Sequence, residues 1–273
     1  MFGTSVPVIK LGLSSTIPPF LFAALRFLIA SSIVIVFLRR TGWVKPHLYC
    51  SRPIWIIGVI NTIGYVLQFK GQGFATASDA ALIIGSAALM IPIITRLKRT
   101  ETLPRKRILG VLVGFIGASL VVTRGEALSL GQAQVLGDLL ILGTAVTIAF
   151  IFVLSKSLVD AQGGEPVTGG ILLTTGLLLL PFVPLDLGSL VSLGLDAWFY
   201  VLFLAVFSTV GAYYFFAKGL ETVSPTLSSI ILPIEIIVSV VLSVIIFRDP
   251  FNIFSGTGAV LIVAGVGLVS FSH

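Results

Sequence analysis

Charge is scarce in this chain: of 273 residues, 17 are basic and 11 acidic, about a tenth of the whole. Cysteine occurs once and histidine twice. A lone Cys50 makes no intrachain disulfide, and His47 and His273 fall outside the apolar stretches, away from any carboxylate cluster that would hold a metal. No Gly-x-Ser-x-Gly stretch seats a nucleophile, and no glycine loop followed by Lys and Ser or Thr cradles a nucleotide's phosphates. These absences argue against an enzyme and against ATP drive, and no cofactor is expected.

What the chain has instead is apolar length. Hydrophobic residues make up 56%, and 28 Gly and 13 Pro are spread through the apolar stretches rather than gathered in loops. A soluble domain could not hide that much apolar surface. Crossing about 30 Å of hydrocarbon takes about 20 apolar residues in a helix, because lipid offers the backbone no hydrogen-bond partner. Ten segments qualify: 2–13, 20–38, 53–69, 74–95, 108–123, 137–157, 169–184, 198–219, 224–247 and 253–270. The expected fold is therefore an all-α integral membrane protein of ten transmembrane helices. The first segment is barely half a span, which suggests a truncated helix one and a native start upstream of Met1. A signal peptide is the competing reading, but the stretch has no basic start and no small-residue cleavage pattern.

Lys and Arg in short loops mark the cytoplasmic side. Twelve of them follow helices two, four, six and eight, from Arg39 to Lys218, whereas Lys10, Lys70, Arg124 and Arg248 lie on the other side and Arg26 lies within helix two. Both termini are expected in the cytoplasm. The net charge of +6 is concentrated in the turns 39–52 and 96–107, where topology already explains it, so no nucleic-acid partner is expected.

The chain also repeats itself. A shift of 147 residues lays Asn61-Thr62-Ile63-Gly64 on Ser208-Thr209-Val210-Gly211, a shift of 146 lays Lys10 on Lys156, and a shift of 148 lays Glu101, Gly110 and Gly117 on Asp249, Gly258 and Gly265. The nearly constant offset predicts two five-helix units, residues 1–123 and 137–270. An odd number of helices per unit turns the second copy upside down in the membrane. Inverted halves can exchange shapes and open a central site to each face in turn.

The residues that carry a resemblance are Lys10-Leu11-Gly12-Leu13, Pro18-Pro19-Phe20 with Ala24-Leu25-Arg26-Phe27, and Ala80-Ala81-Leu82-Ile83 with Glu101, Leu103, Gly110 and Gly117. In the second half they are Gly137-Asp138, Gly211-Ala212-Tyr213-Tyr214, Ser224-Pro225, Glu235, Asp249, Gly258 and Gly265. In order and spacing these resemble the drug/metabolite transporter superfamily, in its ten-helix EamA-type exporter branch, over essentially the whole chain. The resemblance implies a multi-pass carrier in a prokaryotic plasma membrane. It implies a secondary exporter of small organic metabolites such as amino acids. An antiporter of phosphorylated or nucleotide-linked metabolites and a lipid flippase are the alternatives.

Polar groups at membrane depth are the candidate substrate site. Arg26 costs about 3 kcal/mol at mid-membrane, against about 0.3 to 0.6 returned by each of the thirteen Leu, Ile, Val and Phe between Phe20 and Leu38. The helix still inserts. Arg26 is read as a snorkelling or carbonyl-bonded structural group, or as a partner for Glu235 or a substrate carboxylate. Glu235 is read as the one acid at membrane depth, serving as a proton or solute site or as an anchor of the bundle, or else exposed to solvent if the span is misplaced, and it is expected within reach of Arg26 directly or through water. Asn61, Tyr65, Gln68 and Gln72 share one helix face, with Thr209 and Tyr213 on the inverted mate. That stripe either joins helices or lines a cavity. Thr144, Thr147, Thr4 and Ser5 are weaker candidates, and Pro7, Pro92 and Pro233 are candidate hinges. Gly110, Gly114, Gly117, Gly258, Ala264 and Gly265 predict close packing of helices five and ten, as peripheral supports or as a homodimer contact.

Overall fold

The computed structural model describes residues 2–15, 17–41, 46–99, 104–123, 132–191, 193–225, 231–248 and 252–271. Lys45, Glu101, Leu103, Arg124, Asp249 and His273 lie outside the described residues, as does the side chain of Pro233. Among the described residues there is no strand. The first five long helices are α1 (Ser5–Ser14, after a 3-10 turn Phe2–Thr4), α2 (Pro19–Thr41), α3 (Arg52–Phe74), α4 (Ala77–Leu97) and α5 (Arg105–Thr123). They are followed by α6 (Gln132–Gln162), α7 (Gly164–Leu179), α8 (Leu195–Thr222), α9 (Ile231–Phe247) and α10 (Ile253–Phe271).

Local chemistry sets the boundaries. The Thr76 hydroxyl accepts from the Asp79 N–H at 3.1 Å and opens α4, and the Asn252 side chain accepts from the Ser255 N–H at 2.8 Å and opens α10. Gly163, at φ +87°, allows α6 to reverse into α7 without a linker. α4 is interrupted at Ser86, whose hydroxyl returns to Ile83 O at 2.6 Å, six residues before Pro92, whose ring removes a backbone bond. The discontinuity falls at Ser86 rather than at Pro92 itself.

Among the described residues, six helices are long and apolar enough to span a membrane: α2, α3, α4, α6, α7 and α8. α1, α9 and α10 supply shorter apolar helices, and α5 opens with three basic residues. The ten residues of α1 reach about 15 Å, half a bilayer core. Among the described residues, helices therefore fall within all ten expected segments, six of them both long and apolar enough to span.

Two apolar cores hold the bundle together. One gathers Phe22, Phe27, Ile54, Phe69, Leu172 and Leu204 from α2, α3, α7 and α8; the other gathers Leu82, Leu89, Val121, Ile141 and Ile262 from α4, α5, α6 and α10. α5 and α10 pack on each other and on α4 and α9, with their outer faces exposed at Leu109, Leu112, Ile116, Val260 and Leu268. They are peripheral, as expected: Gly114 is buried against Leu89 of α4 and Ala264 is exposed. Gly110 faces Gly265, and Gly117 faces Gly258, so α10 retreats by as many residues as α5 advances. The two helices are antiparallel. Gly176 against Phe27 and Ser31, with Gly169 against Val34 and Leu38, makes α2 and α7 antiparallel in the same way.

Candidate functional site

The α2 helix carries Arg26 into the first core, where the side chain is fully buried. Its Nε donates to Thr209 Oγ1 at 2.6 Å and its Nη2 to Ser208 O at 3.1 Å. Both acceptors belong to a π-helical turn, Val206–Gly211, inside α8. Such a turn widens the helix and offsets its hydrogen-bond ladder. Thr209 passes its own proton to Leu204 O at 2.8 Å, leaving its lone pairs for the guanidinium. The guanidinium carbon lies 4.9 Å from the Tyr65 ring centre and 5.5 Å from that of Phe27, within cation–π range.

Beside it, Tyr213 of α8 donates its hydroxyl to Asn61 Oδ1 of α3 at 2.6 Å. Asn61 Nδ2 donates to Thr175 Oγ1 of α7 at 2.9 Å. Thr4 Oγ1 approaches Ser208 Oγ to 3.3 Å. One buried network thus draws on α2 and α3 from the first half of the chain and on α7 and α8 from the second. Arg26, Asn61, Tyr65, Thr209 and Tyr213 are brought together as the sequence suggested. Gln68 is buried one turn beyond Tyr65 and joins none of these bonds. Gln72 is fully buried, with both amide atoms unpartnered, while its backbone carbonyl receives the Lys10 ammonium at 2.7 Å.

Arg26 makes no direct ion pair with Glu235 among the described residues: its cation is taken up by Thr209, Ser208 and two aromatic rings. Glu235 stands on α9 beside the N-terminal turn, where a Cβ on Gly3 would lie 3.0 Å from its carbonyl oxygen. Two further acids, Asp79 and Asp138, are buried in the bundle. Both sit near helix starts, where hydropathy alone suggests the interface. Thr144 and Thr147 turn to backbone carbonyls, Gly64 O and Thr144 O, and act in the contact between α6 and α3.

The reading of the sequence missed Ser208, Thr175, Thr4 as a contact of α8, and Phe27. Ser208 had a signal, since the repeat lays it on Asn61. Thr175 had none beyond hydroxyls in an apolar helix. Among the described residues no group of His, Cys, Asp and Glu could hold a metal ion.

A groove of about 400 Å³ adjoins the network. Ile33, Val34 and Phe37 of α2 form one wall, Val210, Gly211 and Tyr214 of α8 the other, and Glu165 and Thr168 of α7 close one side. Thr168 donates to Tyr213 O at 3.2 Å, so groove and network share a helix turn. At the rim Lys218 pairs with Glu165, and with Glu221 at 3.2 Å.

The sequence profile of the EamA-like transporter family matches this chain twice, over residues 1–123 and 135–271. The chain is similar to the uncharacterized transporter YyaM of Bacillus subtilis (strain 168), with 27% identity over 89% of this chain and 82% of that one. It is 26% identical to the uncharacterized transporter YetK of the same organism, over 97% of this chain and 82% of the relative. A solved crystal structure superposes with a TM-score of 0.71 over 98% of this chain and 94% of the other, at 23% identity, which speaks for the fold alone. With apolar helices long enough to span a bilayer and a family profile covering almost its full length, the chain belongs to the EamA-like transporter family and is a multi-pass membrane transporter.

Proposed function

We propose that this transporter is a secondary carrier of small organic metabolites, working outward by alternating access between two inverted halves, residues 1–123 and 137–270. The observation that carries the reading is the buried network itself. Arg26, Asn61 and Tyr65 from one half meet Thr209 and Tyr213 from the other, with an apolar groove of small-molecule size alongside. Glu235, apart from that network, enters as the coupling acid. Both termini lie in the cytoplasm of a prokaryotic cell.

Several features support an inverted repeat. Under a shift of 148, Gly110 becomes Gly258 and Gly117 becomes Gly265, so the contact Gly110 to Gly265 maps onto the contact Gly258 to Gly117. A pair of contacts that exchanges in this way is what a two-fold axis between antiparallel helices produces. Lys10 of α1 donates to Gln72 O and Ala75 O at the end of α3, and Lys156 of α6 donates to Leu220 O at the end of α8. The same shifts relate Lys10 to Lys156 and Gln72 to Leu220. The packing of α3 on α6 and α7 is likewise mirrored by that of α8 on α1 and α2.

Counterflow in proteoliposomes tests the proposal. Saturable exchange of labelled amino acids or related solutes is expected, and Glu235→Gln should abolish gradient-driven transport while sparing exchange. Absence of any solute exchange, together with scrambling of labelled lipid, would replace the carrier by a flippase. The one observation that favours that second reading is the groove's side opening, where Ile33 and Phe37 are 37% and 47% exposed.

A further inference from the structure

Arg26 has more donors than the protein uses. Nε and one N–H of Nη2 are bonded, whereas Nη1 is buried with no partner at all. No carboxylate among the described residues pairs with the guanidinium, and its aromatic neighbours, Tyr65 and Phe27, offer quadrupoles rather than charge. A cation taken out of water without a counter-ion is strongly disfavoured. The unspent N–H groups sit on Nη1 and Nη2, the end of the guanidinium fork that receives a carboxylate through two parallel bonds.

Arg26, Ile33 and Phe37 stand at spacings of seven and four on α2, which puts them on one helix face. Ile33 and Phe37 line the groove. Seven residues of helix separate Arg26 from Ile33 by about 10 Å. On the opposite wall the groove continues at Val210 and Gly211, immediately after the Ser208 and Thr209 that hold Arg26.

Resting on the carrier reading above, we infer that the transported solute is an amphipathic monocarboxylate. Its carboxylate docks on the free Nη1 and Nη2 edge of Arg26, and its apolar body, about 10 Å long, lies along α2 as far as Ile33, at the near end of the groove. A phosphate monoester fits less well, since a dianion leaves one charge uncompensated beside a single buried cation.

The test uses the full chain in nanodiscs and three probes: 3-phenylpropionate, its uncharged amide 3-phenylpropionamide, and acetate. Calorimetry should give 3-phenylpropionate an affinity roughly 10- to 100-fold above that of the amide, the span expected for a charged hydrogen-bonded partner, and acetate should be weak for want of an apolar body. Arg26→Lys, which keeps the charge but loses the fork, should weaken 3-phenylpropionate without touching the amide. Ile33→Ala should weaken 3-phenylpropionate and leave acetate unchanged. Arg26→Gln should equalise acid and amide; should that variant fail to fold, the wild-type probe series and Arg26→Lys still decide. Equal affinity for acid and amide, no detectable 3-phenylpropionate binding, or unchanged acid binding in Arg26→Lys would each overturn the assignment. Counterflow separates this from the carrier reading: exchange restricted to uncharged or cationic solutes would sink the carboxylate site and leave the carrier standing, whereas no exchange of any solute would sink both.

Discussion

Replacing Gly258 by Ala would place a Cβ 2.6 Å from Gly117 O and 2.7 Å from Val121 Cγ2, where ordinary contact begins at 3.4 Å. The obstacle is backbone on the first count, so it cannot rotate away; α5 and α10 must separate. Gly267 lies on the same helix with nothing within 4 Å of an added Cβ. Both substitutions gain the same helix propensity, about 1 kcal/mol from Gly to Ala. That gain cancels in the comparison. What remains is the overpacking at Gly258, about 1–3 kcal/mol. For a chain of this size each kcal/mol moves Tm by about 2–4 °C. Gly258→Ala should therefore melt several degrees below Gly267→Ala in a thermal-shift assay on detergent-purified protein. Gly110→Ala should fall alongside it, since its Cβ would lie 2.7 Å from Gly265 O, the partner contact under the repeat. If Gly258→Ala melts at or above Gly267→Ala, the α5–α10 contact is not as close as described and the argument from reciprocal glycines goes with it.

Tyr213→Phe leaves Asn61 Oδ1 without its 2.6 Å donor, a loss of about 1–3 kcal/mol that thermal melting should register along with slower solute exchange; a variant as stable as the parent would put the hydroxyl outside the network. Lys10→Met releases two carbonyls at the end of α3, and Lys156→Met releases Leu220 O near the end of α8 together with its ion pair to Asp160; with both ammoniums partly exposed the cost should be about 1 kcal/mol apiece. Hydrogen exchange should speed up at the end of α3 in the first variant and of α8 in the second, and faster exchange elsewhere would count against the two staples. Because Arg26 and Glu235 are not paired, the stability effects of Arg26→Gln and Glu235→Gln should add to within about 0.5 kcal/mol in a double-mutant cycle; a larger coupling would restore the ion pair that the geometry denies.

Membrane residence, the approximate place of each helix and the peripheral role of α5 and α10 were all legible in the sequence. Hydropathy, turn residues and small-residue spacing act locally, over one or two helical turns. Asn61, Tyr65, Thr209 and Tyr213 could be nominated for the same reason, as polar residues on one face of an otherwise apolar helix. Who pairs with whom was not legible. Arg26 looked bound for Glu235 because charge was the only criterion available from sequence, yet packing sets α2 against α8 and supplies Thr209 and Ser208 O from a π turn that no periodicity announces. Thr175 reaches Asn61 only because α7 crosses α3, and Asp138 is buried only because α6 leans its first turns on the end of α3, where Gly137 meets Gly71 and Ala75. Local chemistry selects which residues are helical and which side of a helix is polar. The direction in which a buried donor finds its acceptor depends on how helices far apart in sequence cross, and that is decided by close packing in three dimensions.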